Sequence, residues 1–97
     1  MKPLTPADIT AALSRLPGWT HRDGALHKGF RFGSFRDALA YMQRVAPEIE
    51  RLDHHPEWTN VYDRVNVRLT SHDAGDLVTR KDVELAKLLE AYADRGV

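Results

Sequence analysis

Glu50, Asp53, His54, His55 and His72 are the residues whose types and spacing best suit chemistry. Three of the five histidines are among them, adjacent at 54 and 55 within Asp53-His54-His55-Pro56-Glu57-Trp58 and again at 72. An imidazole with its ordinary pKa near about 6.5 both gives and takes protons around neutrality, so such a cluster points to proton transfer or to metal binding. Glu50 stands four residues before His54, the spacing at which side chains share a helix face. Its carboxylate is therefore expected to fix the tautomer of His54 and raise its basicity. Pro56 pushes the residue before it out of the α region, so His55 should leave the helix just as His54 ends it. The two rings can then converge on one space from different backbone geometries. His72 follows a strand, at the edge where a sheet meets a loop and functional groups are often displayed.

Other readings compete. A His-His pair at a helix end also serves as a C-terminal cap, because cationic groups interact well with the last carbonyls. Three histidines with Glu50 or Asp53 would satisfy a catalytic zinc, which commonly takes three protein ligands and keeps one open position. Yet the helical signature of two histidines spaced i, i+4 around a glutamate is missing, and directly adjacent histidines seldom bind one ion. No metal is expected on that ground. Trp58 by itself reads as a core or rim aromatic, and His21 and His27 as solvated strand residues. Asp82 reads most simply as the last member of a capping box, with Arg80-Lys81 a solvated helix start.

The elements that must position these residues follow from periodicity and capping. Thr5-Pro6-Ala7-Asp8 opens a helix with Ile9, Leu13 and Leu16 on one stripe, and Pro17-Gly18 stops it. Residues 19–21 and 25–32 around Arg22-Asp23-Gly24 read as a hairpin with an Asp-Gly turn. Ser34-Phe35-Arg36-Asp37 opens the strongest helix, where Phe35, Ala38, Leu39, Met42, Val45, Ala46, Ile49 and Leu52 recur at spacings of three and four. Pro47 falls inside it and predicts a kink or a break, at a cost of about 3 kcal/mol. Val61, Val65, Val67 and Leu69 alternate with polar residues as one long strand, with Asp63 the exception. After the turn Asp73-Ala74-Gly75-Asp76, the box Thr79-Arg80-Lys81-Asp82 opens a last helix with Val83, Ala86, Leu89 and Ala93 inward, joined by Leu88 and Tyr92. Hairpin, strand and helices in this order predict an α+β domain, an antiparallel sheet with helices packed on one face.

Composition bounds the function. Ninety-seven residues suffice for a single domain, 1–97, with one modest core. Fourteen basic groups balance fourteen acidic ones, which argues against a nucleic-acid partner. Cysteine is absent, so disulfides and thiolate chemistry are excluded. No apolar run of about 18 residues suggests a membrane span and no signal peptide is evident, so a cytoplasmic location and no membrane partner are expected.

Taken together, the pattern resembles the pterin-4a-carbinolamine dehydratase family. The likeness rests on Glu50-x3-His54-His55-Pro56, on Glu57-Trp58-x-Asn60-Val61-Tyr62, on Thr70-Ser71-His72-Asp73 and on Thr79-x2-Asp82. Leu16-x-Gly18-Trp19 and Phe30-x-Phe32 extend it over nearly the whole chain. It implies a four-stranded antiparallel sheet with three helices on one face, assembled as a homodimer or homotetramer. The hairpin and the long alternating run give three strands, and a turn at Asp63-Arg64 would supply the fourth. It also implies loss of water from a 4a-hydroxytetrahydropterin, a small-molecule substrate, to give the quinonoid dihydropterin with no cofactor, as in tetrahydrobiopterin recycling. By the same resemblance His54, His55 and His72 are catalytic, with His55 holding the pterin while His54 and His72 exchange protons. Glu50 orients His54, Pro56 and Trp58 border the ring, and Asp82 is a nearby carboxylate. Two departures stand out: residues 75–79 are one longer than the usual Gly-x-Leu-Thr form, and Pro47 is unusual in its helix. Some relatives of this fold act as dimerisation cofactors for transcription factors, which makes a protein-binding module the alternative function.

Overall fold

Thr5, Ser34 and the Asp23-Gly24 pair set the first boundaries of the fold. The structure is a computed structural model and describes residues 1–94. Helix α1 spans Pro6–Leu13, with the Thr5 hydroxyl accepting from the Asp8 N–H and the Asp8 carboxylate returning to the Thr5 N–H. Strands β1 (Thr20–Arg22) and β2 (Ala25–Arg31) form the expected hairpin. Both turn residues are left-handed, Asp23 at φ 52° and Gly24 at φ 75°, which matches the twist of the flanking strands. Ser34 caps α2 (Phe35–Leu52) by accepting from the Asp37 N–H.

Strand β3 (Glu57–Val61), strand β4 (Arg64–Leu69) and helix α3 (Arg80–Asp94) complete the order, with a short 3-10 turn at His72–Ala74 before α3. The sheet is wholly antiparallel in the order β1-β2-β4-β3, so β4 lies in the middle and β3 forms one outer edge. The architecture is the expected one: four antiparallel strands with three helices in an α+β fold. The turn that splits the long strand falls at Tyr62-Asp63, with Tyr62 at φ 53°. This corrects the alternation read across it. Val61 pairs with Arg64 and therefore shares its face, while Val65, Val67 and Leu69 face the helices. Asp63, the exception in the pattern, is nearly buried and accepts from Arg31 Nε at 3.2 Å.

One apolar cluster joins Leu26, Phe30, Val65, Val67 and Leu69 of the sheet to Val45 and Ile49 of α2 and to Leu85, Ala86 and Leu89 of α3. Tyr41 and Leu85, absent from the expected stripes, are fully buried, whereas Phe35, Leu39 and Ala46 lie at the surface. The Tyr41 hydroxyl donates to the Leu89 carbonyl at 2.8 Å. Burial, and then the charge of Glu90, push its phenol above the ordinary tyrosine value. Glu90 is itself held by Lys28 of β2 and by Trp19 Nε1 at 2.8 Å, which fastens α3 to the sheet.

Pro47 does not break α2, which runs on to Leu52. Pro47 and Gln43, whose carbonyl the proline cannot bond, both lie on the exposed side. Loss of that bond costs about 3 kcal/mol. Burial of Val45 and Ile49 at about 1.5–3 kcal/mol each outweighs it, and the apolar register decides.

Candidate active site

The chain leaves α2 at Asp53. Its backbone is left-handed, φ 56° and ψ 41°, and its N–H caps the helix on the Ile49 and Glu50 carbonyls. Aspartate tolerates this conformation better than most residues, so the turn needs no glycine. His54 consequently lies beyond the helix and cannot share a helical face with Glu50. The Glu50 carboxylate instead binds His55 Nε2, a pairing that corrects the expected Glu50–His54 contact. Asp53, ahead of Pro56, starts the divergence of the two rings.

His54 turns inward and meets α3. Its Nε2 lies 2.6 Å from Asp82 Oδ1, with the His54 side chain 13% exposed and Asp82 fully buried. The other carboxylate oxygen, Oδ2, accepts from the Thr79 N–H at 2.8 Å and from the Ser71 hydroxyl at 2.9 Å. Asp82 is thus both the cap of α3 and the partner of His54, one role for each oxygen. Thr79 Oγ1 lies 2.6 Å from Ser71 Oγ and accepts from the Lys81 N–H. Since the single hydroxyl hydrogen of Ser71 goes to Asp82, Thr79 gives its own to Ser71. The network is buried and fully paired, and it fixes the direction of each hydrogen. Nε2 of His54 is the protonated nitrogen toward Asp82, which leaves Nδ1 to exchange a proton.

His54, His55 and His72 line one open cleft of about 680 Å³ together with Asp53, Ser71 and Lys81. That volume suits a small ring system. His72 is 98% exposed at the start of the 3-10 turn, where its Nδ1 lies 3.2 Å from Asp76 Oδ1. Among the described residues, no three His, Asp or Glu side chains form a set that could hold a metal ion. Each histidine instead has its own carboxylate: Asp82 for His54, Glu50 for His55, Asp76 for His72.

A family model for pterin 4 alpha carbinolamine dehydratase matches residues 2–92. The chain belongs to this family. A relative from Opitutus terrae, provisionally named a pterin-4-alpha-carbinolamine dehydratase, is 60% identical over 87 residues, 90% of each chain. Another with the same provisional name, from Rhizorhabdus wittichii, is 46% identical over 96 residues, 97% of this chain and 98% of its own. A crystal structure of a transcriptional coactivator/pterin dehydratase from Brucella melitensis superposes with a TM-score of 0.89 at 38% identity, covering 95% of this chain and 99% of that one. Dehydratases of this family are hydro-lyases, and the enzyme class expected from the sequence stands.

Within this carbinolamine dehydratase fold, the expected site residues divide. The three histidines share the cleft, Asp82 stands behind His54, and Glu50 stands behind His55. Pro56 and Trp58 lie outside the cleft lining, and Trp58 packs half-buried against the core from β3. Asp82 reaches His54 across the segment 75–79, in which Gly75 and Asp76 both turn left-handed, at φ 74° and 60°. Ser71, Thr79 and Asp76 were not among the expected site residues: the sequence placed Thr79 in a capping box and Asp76 in a turn. The spacing of Asp76 four residues after His72 was the one signal that pointed to it. No helix among the described residues is long and apolar enough to cross a membrane.

Proposed function

We propose that this protein removes water from a 4a-hydroxytetrahydropterin to give the quinonoid dihydropterin, by histidine general acid/base catalysis, in a cytoplasmic recycling step. The carrying observation is the Asp82–His54 pair on a cleft shared with His55 and His72, in a member of the carbinolamine dehydratase family. The reaction transfers protons only. The hydroxyl on C4a takes a proton as its C–O bond breaks, the N5 proton is removed as the C4a–N5 double bond forms, and water leaves. One imidazolium and one neutral imidazole balance it without a cofactor, each worth about 10²- to 10⁴-fold. His54 and His72 exchange these protons, and His55, held by Glu50, contacts the pterin. The geometry supports two carboxylate partners for these rings: Asp82 orients His54, and Glu50 orients His55 rather than His54.

The test is the reaction itself. Purified protein is expected to accelerate dehydration of a 4a-hydroxytetrahydropterin with saturable kinetics, and a rate equal to the uncatalysed one at all protein concentrations would overturn the proposal. A second reading, a protein-binding cofactor, is supported by the coactivator description of the Brucella melitensis protein. It separates from the first because partner binding would persist in a His54→Ala variant.

A homodimer or homotetramer belongs to the same proposal. β3 is an outer strand whose free edge can pair with another copy, and Val61 at its end is 53% exposed. Light scattering is expected to give a mass two or four times that of the chain, and a monomeric mass at micromolar concentration would contradict it.

A further inference from the structure

The turn that carries His72 holds an aspartate where its backbone would favour glycine. Gly75 and Asp76 are consecutive left-handed residues, at φ 74° and 60°. The Gly75 N–H bonds the His72 carbonyl, the Asp76 N–H bonds the Ser71 carbonyl at 3.1 Å, and the Ser71 N–H bonds the Leu77 carbonyl at 3.0 Å. The backbone of the turn is therefore set by hydrogen bonds that any residue but proline could make at 76. Glycine would adopt this φ without a steric penalty, and aspartate is among the few other residues that tolerate it, as at Asp23 and Asp53. What aspartate adds over glycine is a carboxylate, 3.2 Å from His72 Nδ1.

We infer that Asp76 is a positioning residue that holds His72 as the Nδ1–H tautomer and presents Nε2 to the substrate, an assignment that rests on the dehydratase reading above. A carboxylate can only accept, so the nitrogen that faces it carries the hydrogen and the opposite nitrogen carries the lone pair. The two proton-exchanging rings then offer opposite nitrogens to the cleft. His54 gives its Nε2 hydrogen to Asp82 and offers Nδ1, whereas His72 gives its Nδ1 hydrogen to Asp76 and offers Nε2. Both partners of the His72–Asp76 pair are well exposed, at 98% and 65%, so the bias is up to about fivefold and not larger.

Asp76→Gly tests it. The variant is expected to unfold at the same or a higher temperature, because glycine suits the left-handed position. Long-range ¹H–¹⁵N correlation of the neutral His72 ring is expected to show the Nδ1–H form fall by about two- to fivefold against the Nε2–H form. The kcat for dehydration of a 4a-hydroxytetrahydropterin should fall by a similar factor with KM unchanged. A purely structural role predicts neither change. An unaltered tautomer ratio in the variant would overturn the inference. A shifted tautomer with unchanged kcat would overturn the assignment of His72 to the reaction and leave the Asp76 contact standing.

Discussion

Asp82→Asn is expected to lower kcat by about 10²- to 10⁴-fold while the protein stays folded. An amide behind a histidine offers one acceptor and one donor where the carboxylate offered two acceptors, and such a change costs up to about 10⁴-fold when it imposes the wrong tautomer. At this position the structure decides which way the amide sits. Two donors, the Thr79 N–H at 2.8 Å and the Ser71 hydroxyl at 2.9 Å, converge on Oδ2, and only His54 meets Oδ1. The Thr79 N–H cannot rotate away. Placing the amide nitrogen against it would leave a buried donor unpaired at a cost of about 1–3 kcal/mol. The amide oxygen therefore keeps the α3 cap, and the NH2 group faces His54. His54 Nε2 must then accept, its hydrogen moves to Nδ1, and the neutral ring no longer presents a lone pair to the cleft. Because the cap survives, thermal unfolding should move by only a few degrees. Steady-state dehydration and a melting curve on the same preparation check both halves, and a kcat within threefold of wild type would contradict the role given to Asp82.

Much of this arrangement was legible in the sequence, for reasons specific to each element. Capping signals are local chemistry, so Thr5, Ser34 and the Asp-Gly turn marked their boundaries directly. The family pattern around His54, His55 and His72 pointed to the right fold and enzyme class. The errors arose where tertiary packing or a single backbone angle decides. The left-handed Asp53 ends α2 before His54, so helical spacing wrongly assigned Glu50 to that ring. The register of Val45 and Ile49 outweighs Pro47, which propensity alone cannot weigh. Val61 lies on the other side of a two-residue turn from Val65, and the turn reverses its face. Asp82 read as a cap or as a site carboxylate, and it is bonded as both, because a carboxylate has two oxygens and α3 starts directly behind His54. Asp76 read only as a turn residue, because its approach to His72 depends on the fold of the turn around it.

His54→Ala removes the ring that the reading makes central, with an expected fall in kcat of about 10²- to 10⁴-fold. The protein should still fold, with some loss of stability, since Asp82 keeps its bonds from Ser71 and Thr79 while its buried Oδ1 loses its partner at a cost of about 1–3 kcal/mol. His54 is 13% exposed, so the core does not depend on it as it does on Leu85 or Leu89. His72 is exposed, and its replacement by alanine should leave stability unchanged while kcat again falls steeply. Parallel kinetics therefore separate catalysis from folding better than any other comparison. The decisive measurement is the rate of 4a-hydroxytetrahydropterin dehydration by wild-type, His54→Ala and His72→Ala proteins, each shown by its melting curve to be folded at the assay temperature. The account predicts that both variants lose at least about a hundredfold in kcat. Wild-type rates in both would contradict it.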